Sequence, residues 1–272
     1  VAPGAEVEAL IADKRIAAVT LTGSDAAGVA VASAAGHALK KTVLELGGSD
    51  AYVVLEDADL EKAAEICVNS RLINAGQSCI AAKRFIVVKA VEKQFTKLFL
   101  EKMKAKKVGD PLLPETEVGP LARMDLRDSL HKQVEKSVKK GAKCILGGEI
   151  PKGYNAYYPP TILTKVSKGM PAYDEEMFGP VAAIIKAKDE TDALQIANDS
   201  VFGLGAAVFT TDPNKGEAIA KTGLEAGSCF VNSLVKSDPR LPFGGIKQSG
   251  YGRELGMFGI HEFVNIKTVY IA

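Results

Sequence analysis

Short apolar, β-branched runs alternate along the chain with longer stretches whose apolar residues recur at helical spacing. This alternation predicts strands and helices in turn. Residues 6–12 read as the end of a helix, and residues 16–21 as a buried strand. Thr22, Gly23 and Ser24 then turn the chain, with Ser24 as N-cap of a helix running to about His37. Strands follow at 42–46 and 51–55, and a helix at 60–72 that Asp57 or Asp59 caps. Residues 84–88 form another β-branched run. Helical spacing returns over 91–106 and 126–140, where Gly141 supplies the stop.

Beyond Gly141, short strands are expected near 142–146 and 157–163, and a loop at 174–180. Strands at 181–187 and 206–210 are each followed by a helix, starting near Thr191 and Asp212. A further strand covers 228–232, the glycine-rich stretch 242–252 is a loop, and 265–271 alternates like a strand that pairs with a sheet in this chain or in a neighbour. Strand, turn and helix in this order make a compact α/β protein with a parallel sheet.

Composition narrows the class of function. The chain has 272 residues, 47 % hydrophobic and 25 % charged, with 34 basic side chains against 33 acidic. A net charge of +1 without a basic cluster gives no footprint for nucleic acid or an anionic membrane. No apolar run is long enough to span a bilayer, and no signal peptide is recognisable. The cysteines at 67, 79, 144 and 229 form no CxxC pair and no metal-ligand spacing. Cys67, Cys144 and Cys229 read as core, and unpaired thiols fit a reducing, cytoplasmic setting. His37, His131 and His261 are scattered, and His261-Glu262 lacks the second histidine of a zinc protease motif. No metal is expected.

Cys79 is different. It follows the predicted helix 60–72 and the stop Asn74-Ala75-Gly76, which places it on a turn just past a helix end. There a cation, a base or a helix terminus can lower a thiol's pKa and raise its thiolate fraction. A lone cysteine is equally a small buried hydrophobe, and only company from other motifs decides between the two.

That company is present. Glu45 ends an apolar strand in VLELGG, where parallel sheets place ligand sites and where burial raises a carboxyl toward a useful base. The turn at 22–24 can present N–H groups and Ser24 to a phosphate. Glu176-Met177-Phe178-Gly179-Pro180 combines a hydroxyl acceptor with an aromatic platform. Taken singly, these are also a solvent-facing strand end, a capping serine and an ordinary turn.

Taken together they resemble the aldehyde dehydrogenase superfamily. The matching motifs are LTGS at 21–24, LELGGSD at 44–50, NAGQSC at 74–79, EMFGPV at 176–181, NDSVFGLGAAVFT at 198–210 and PFGGIKQSGYGRE at 242–254. They span the chain in the family's order. LELGGSD, AAKRFIV, ARMDLRDSLHKQV and GRELGMFGIHEFVN are most similar to the bacterial succinate-semialdehyde dehydrogenase branch.

The resemblance implies a three-layer α/β catalytic domain joined to the remainder of a Rossmann-like cofactor domain. Residues 1–47 would be the end of the NAD(P)-binding domain, 48–247 the catalytic domain, 248–262 a return segment and 263–272 an oligomerisation arm of a homo-dimer or homo-tetramer. It implies Cys79 as nucleophile, its N–H in an oxyanion hole, and Glu45 as the base that hydrolyses the thioester. Ser24 and Gly23 would meet the pyrophosphate of NAD or NADP, Glu176 the nicotinamide ribose, and Leu46 and Phe178 the same cofactor. The implied substrate is a small aldehyde, succinic semialdehyde first.

Two departures stand out. The group's carboxylate-binding arginine, six residues before the nucleophile, is Ile73 here, which leaves Arg71 and Ser237 as substrate contacts, with Lys236 and Arg240 nearby in sequence. The family's upstream oxyanion-hole Asn and adenosine-ribose Lys also have no counterpart in this chain. The expectation is therefore the C-terminal portion of such an enzyme, and the alternative is a non-catalytic structural or interaction fragment.

Overall fold

The computed structural model describes residues 4–153 and 155–272. Residues 1–3, which open the expected segment 1–47, and Tyr154, inside the expected domain 48–247, lie outside the described residues. In chain order the elements are α1 (Gly4–Ala12), β1 (Ala18–Thr22), α2 (Asp25–His37), β2 (Lys41–Glu45), β3 (Ala51–Val54), α3 (Leu60–Leu72), β4 (Arg84–Val88), α4 (Glu92–Lys104), α5 (Met124–Lys139), β5 (Lys143–Leu146), β6 (Thr161–Thr164), α6 (Pro171–Asp174), β7 (Val181–Ala187), α7 (Glu190–Asn198), β8 (Phe202–Gly203), β9 (Gly205–Phe209), α8 (Pro213–Ala218), β10 (Ser228–Val231), β11 (Ile246–Lys247), β12 (Gly250–Tyr251) and α9 (Gly256–Glu262). They divide into two compact units, one of residues 1–47 with 236–272, the other of residues 48–235.

In the larger unit, seven strands run in the order β10-β9-β3-β4-β7-β6-β5. Every pair is parallel except β5 with β6. β3, β4 and β9 are buried at every position. A parallel sheet covered on both faces needs such continuous apolar runs. Tyr52 meets Phe85 edge-on and Phe85 meets Phe99 at a tilt through the core, with Phe85 and Phe99 centroids 4.9 Å apart. Asp59 accepts the Lys62 N–H to cap α3, and Asp189 and Asp212 cap α7 and α8 in the same way. α3 buries Ala63, Ala64, Cys67 and Val68, and α4 buries Phe95, Phe99 and Met103.

In the smaller unit β1 and β2 pair in parallel, and β12 joins the other side of β2 antiparallel. Glu45 thus ends the middle strand, opposite Thr22 on one side and Gly250 on the other. The Leu46 N–H donates to Ser249 O, and Phe243 and Glu254 bridge each other across the glycine-rich stretch. These bonds tie 242–252 to the sheet that carries Glu45. The larger unit accordingly ends at Val235, not at 247 as the sequence reading had it, and 236–247 groups with the expected return segment.

Residues 265–271 pair with no sheet within this chain, and Ile266, Tyr270 and Ile271 are exposed. An alternating pattern makes a strand only when a sheet edge accepts it. Among the described residues no helix is long and apolar enough to cross a membrane.

Candidate active site

The turn that carries Cys79 is built by a left-handed run directly after α3. Asn74, Ala75 and Gly76 have φ of 49°, 53° and 79°. The reason for glycine at 76 is spatial as well as conformational: a Cβ there would lie 2.3 Å from Gly179 C and O. Side chains then hold the turn from several directions. Gln77 Oε1 accepts the Ala122 N–H at 2.7 Å and its Nε2 donates to Asn74 O, while Arg71 Nη2 donates to Gly76 O at 2.7 Å. Ser70 Oγ accepts the Ala82 N–H and donates to Tyr52 Oη, which also accepts the Val235 N–H.

Beneath Cys79 lie two acids and two cations. Lys83, wholly buried, donates to Ser78 O at 3.0 Å, to Cys79 O at 2.7 Å and to Glu176 Oε1 at 3.2 Å. Glu176 Oε1 also accepts the Gly48 N–H at 3.0 Å. Asp50 is buried, accepts the Gly205 N–H with Oδ1, and receives the Lys83 and Arg84 N–H groups on its backbone carbonyl. Burial pushes the Asp50 carboxyl up to about 6 against the pull of Lys83. Burial pushes Arg71 down to about 9, opposed by Glu176 and Asp50, so its guanidinium stays charged at neutral pH.

Two expectations change here. Cys79 does not have a lowered pKa: burial pushes the thiol up, Asp50 and Glu176 push the same way, and the Lys83 charge holds the rise back. Arg71 is not a surface for a substrate carboxylate, because it is fully buried and bonded to the Gly76 carbonyl beneath the turn. Its Nε and Nη1 have no partner among the described residues.

The loop 175–180 alternates inward and outward. Met177 is buried, whereas Glu176 is partly exposed and Phe178 is 38 % exposed. Both bonds of Glu176 use Oε1, which leaves Oε2 as an acceptor.

In the smaller unit, Glu45 is 3 % exposed, and neither carboxylate oxygen has a hydrogen-bond partner among the described residues. Desolvation, then the nearby Glu254 charge, push it up to about 7, with Arg253 opposing. Arg253 is itself engaged with Gly245 O and Gly252 O. Ser24 caps α2 by accepting the Ala27 N–H at 3.4 Å, so its own hydroxyl proton remains to be donated. The Gly23 N–H is spent on Glu45 O. Leu46 is buried. Ser237 is exposed just past Val235, and Arg240 is paired with Asp238 at 2.6 Å.

Each unit, taken by itself, holds donors or acceptors that suit part of a dinucleotide. The first-turn amides of α2 and the Ser24 hydroxyl suit a phosphate, and Glu176 Oε2 suits a ribose hydroxyl. Asp25 in that same first turn accepts the Gly47 N–H, which moderates its negative charge. Among the described residues no cluster of three or more His, Cys, Asp and Glu suits a metal ion.

Residues 1–269 of the 272 match the family described as Aldehyde dehydrogenase family. The chain belongs to the aldehyde dehydrogenase family. An NAD(P)+ succinate semialdehyde dehydrogenase of Escherichia coli (strain K12) is 54 % identical over 264 residues, covering 97 % of this chain and 57 % of that protein. A probable NADP+ succinate-semialdehyde dehydrogenase of Synechocystis is 52 % identical, covering 97 % of this chain and 58 % of the relative. The crystal structure of the succinic semialdehyde dehydrogenase of Streptococcus pyogenes with NADP+ superposes with a TM-score of 0.96 at 42 % identity, over 99 % of this chain and 59 % of that one. The chain thus spans less than two thirds of the length of these aldehyde dehydrogenases. The mixed α/β fold expected from the sequence is the fold observed.

Sequence reasoning missed Lys83, Asp50, Gln77 and Arg253. Lys83 and Asp50 sit inside quoted motifs, AAKRFIV and LELGGSD. The available signal was a charged residue at the border of a fully apolar run, because such a charge is buried only when paired.

Proposed function

We propose that this aldehyde dehydrogenase chain carries the nucleophile and the hydrolytic base for oxidising succinic semialdehyde to the acid. The observation that carries the reading is Glu45, a buried carboxyl with both oxygens unpartnered among the described residues and a pKa pushed to about 7. Such a group is a base poised at neutral pH. A purely structural carboxyl so buried is expected to have hydrogen bonds.

Cys79 adds as thiolate to the aldehyde carbon, forming the C–S bond, and its backbone N–H takes the developing oxyanion. When bound, NAD or NADP supplies the hydride acceptor through which this adduct becomes a thioester. Glu45 then takes a proton from water, the water oxygen bonds to the acyl carbon, the C–S bond breaks and Cys79 leaves as thiolate. Ser24 and the first amides of α2 are assigned to the cofactor phosphate, Glu176 Oε2 to a ribose hydroxyl and the exposed Phe178 ring to packing against the nicotinamide. Gly23 and Leu46 act from behind, by shaping the turn and the strand end.

The names of the E. coli, Synechocystis and S. pyogenes relatives support succinic semialdehyde as the substrate and NAD or NADP as the partner of the reaction. With Arg71 committed to the nucleophile turn, exposed Ser237 and its neighbour Lys236 are the candidates for the substrate carboxylate. The exposed apolar residues of 263–272 support an arm in a homo-dimer or homo-tetramer, and the unpaired thiols a cytoplasmic setting.

The test is succinate release from succinic semialdehyde with NAD+ or NADP+, against butanal as the aldehyde without a carboxylate. Preference for the semialdehyde, abolished in Cys79→Ala, is expected. Succinate from Cys79→Ala would overturn the nucleophile, equal use of butanal the substrate class, and no oxidation of any aldehyde would favour a structural module.

A further inference from the structure

Lys83 is spent entirely on the turn it follows. An ammonium has three N–H donors, and the acceptors are the Ser78 carbonyl, the Cys79 carbonyl and Glu176 Oε1. The side chain is wholly buried. The 79–80 peptide is trans, with no cis bond among the described residues, so its C=O and N–H point to opposite sides. Drawing the Cys79 carbonyl onto Lys83 therefore turns the Ile80 N–H the other way and fixes the plane of that peptide. Glycine at 48 permits this arrangement: a Cβ there would come within 2.8 Å of Cys79 O, in competition with the ammonium. The Gly48 N–H shares Glu176 Oε1 with Lys83.

We propose that Lys83 is a positioning residue: it fixes the Cys79–Ile80 peptide of the turn that carries the thiol, and it sets the Glu176 carboxylate with Oε2 free for a ribose hydroxyl. The proposal rests on the reading of Cys79 as nucleophile and adds the residue that makes that turn competent. Lys83 touches no reacting atom. It acts on the thiol through the peptide it anchors and through its charge. The charged groups facing Cys79 are Lys83, Asp50 and Glu176, and Arg71 faces Lys83 from α3. Loss of the ammonium leaves the two acids to disfavour the thiolate. Loss of the Glu176 charge leaves the ammonium uncompensated and favours it.

The test is the rate of iodoacetamide alkylation at Cys79 against pH, read by peptide mass spectrometry on the full chain, with the fully buried Cys67 as an internal reporter of folding. Lys83→Met is expected to move the alkylation profile to higher pH and to slow labelling at pH 8 by about tenfold, a modest share of what one removed charge a few ångströms away can do. Glu176→Gln is expected to move the profile to lower pH and speed labelling several-fold. A Lys83→Met profile equal to wild type, with Cys67 protected, overturns the proposal. Should Lys83→Met expose Cys67 through loss of the fold, Glu176→Gln decides: faster labelling supports the proposal, and equal or slower labelling overturns it. Failure of the functional reading shows elsewhere, as wild-type Cys79 that accepts no acyl group.

Discussion

Lys83 Nζ lies 2.7 Å from the carbonyl oxygen of Cys79, so the half-buried Cys79 has its backbone tied to a buried cation. The same cation holds Glu176 at 3.2 Å, from a loop far away in sequence. One ammonium thus couples the nucleophile turn to the carboxylate assigned to cofactor binding.

Breaking this pair should destabilise the larger unit. Removing one member of a fully buried ion pair typically costs about 3–5 kcal/mol. Glu176 is 22 % exposed and can rehydrate, so Lys83→Met is expected to lose about 2 kcal/mol, toward the lower range of such substitutions. Urea denaturation measures it, and an unchanged midpoint would show that the pair contributes nothing to the fold.

Gly76→Ala tests the geometry of the turn. Its φ of +79° and the 2.3 Å approach to Gly179 both oppose a Cβ. A loss of about 3 kcal/mol is expected from left-handed strain plus overpacking. Cys79 alkylation should fall in the same protein. Wild-type stability would mean that the turn does not need this conformation.

Tyr52→Phe removes the hydroxyl that accepts from Ser70 Oγ at 2.9 Å and from the Val235 N–H at 2.6 Å. Two buried donors lose their acceptor, at about 1–3 kcal/mol each. A loss of about 3 kcal/mol in chemical denaturation is expected from their sum, allowing for partial relaxation. A loss below about 1 kcal/mol would indicate that the hydroxyl carries no more than one ordinary bond.

Glu45 predicts a pH-dependent stability. Its folded pKa, about 7, lies above the ordinary 4.5, so the folded chain keeps that proton where the unfolded chain has lost it. The stability it contributes is complete below about 4.5, falls as pH rises from 4.5 to 7 and is gone above. Glu45→Gln does not titrate and should gain on the wild type across this window. Melting temperatures at pH 5 and pH 8 check it, and a constant difference between the two proteins would contradict the raised value.

Much of this was legible in the sequence because local signals agreed with the fold. Helical spacing and the Asp59 cap gave α3 at residues 60–72, and the uninterrupted RFIVV run gave β4. The expected positions of Cys79 just past a helix end and of Glu45 at a strand end are the positions observed. What was not legible depends on distant partners. Lys83 has a role only because Glu176 and the Cys79 carbonyl arrive beside it. Arg71 looked like a substrate contact until its burial beneath Gly76 was visible. The thiol's raised pKa comes from burial, which no local pattern reports. Residues 242–247 were read with the larger unit, and their place beside β2 depends on bonds that reach back across most of the chain.

The most direct test of the central claim bypasses the cofactor. An activated ester such as p-nitrophenyl acetate can acylate Cys79 to a thioester without any hydride transfer, after which water and a base must remove the acetyl group. Intact-mass and peptide mass spectrometry should find acetyl on Cys79, transient in the wild type, with turnover rising as pH passes through about 7, where Glu45 loses its proton. In Glu45→Gln the acetyl group should persist on Cys79. No acetyl on Cys79, or turnover in Glu45→Gln equal to wild type, would contradict the account.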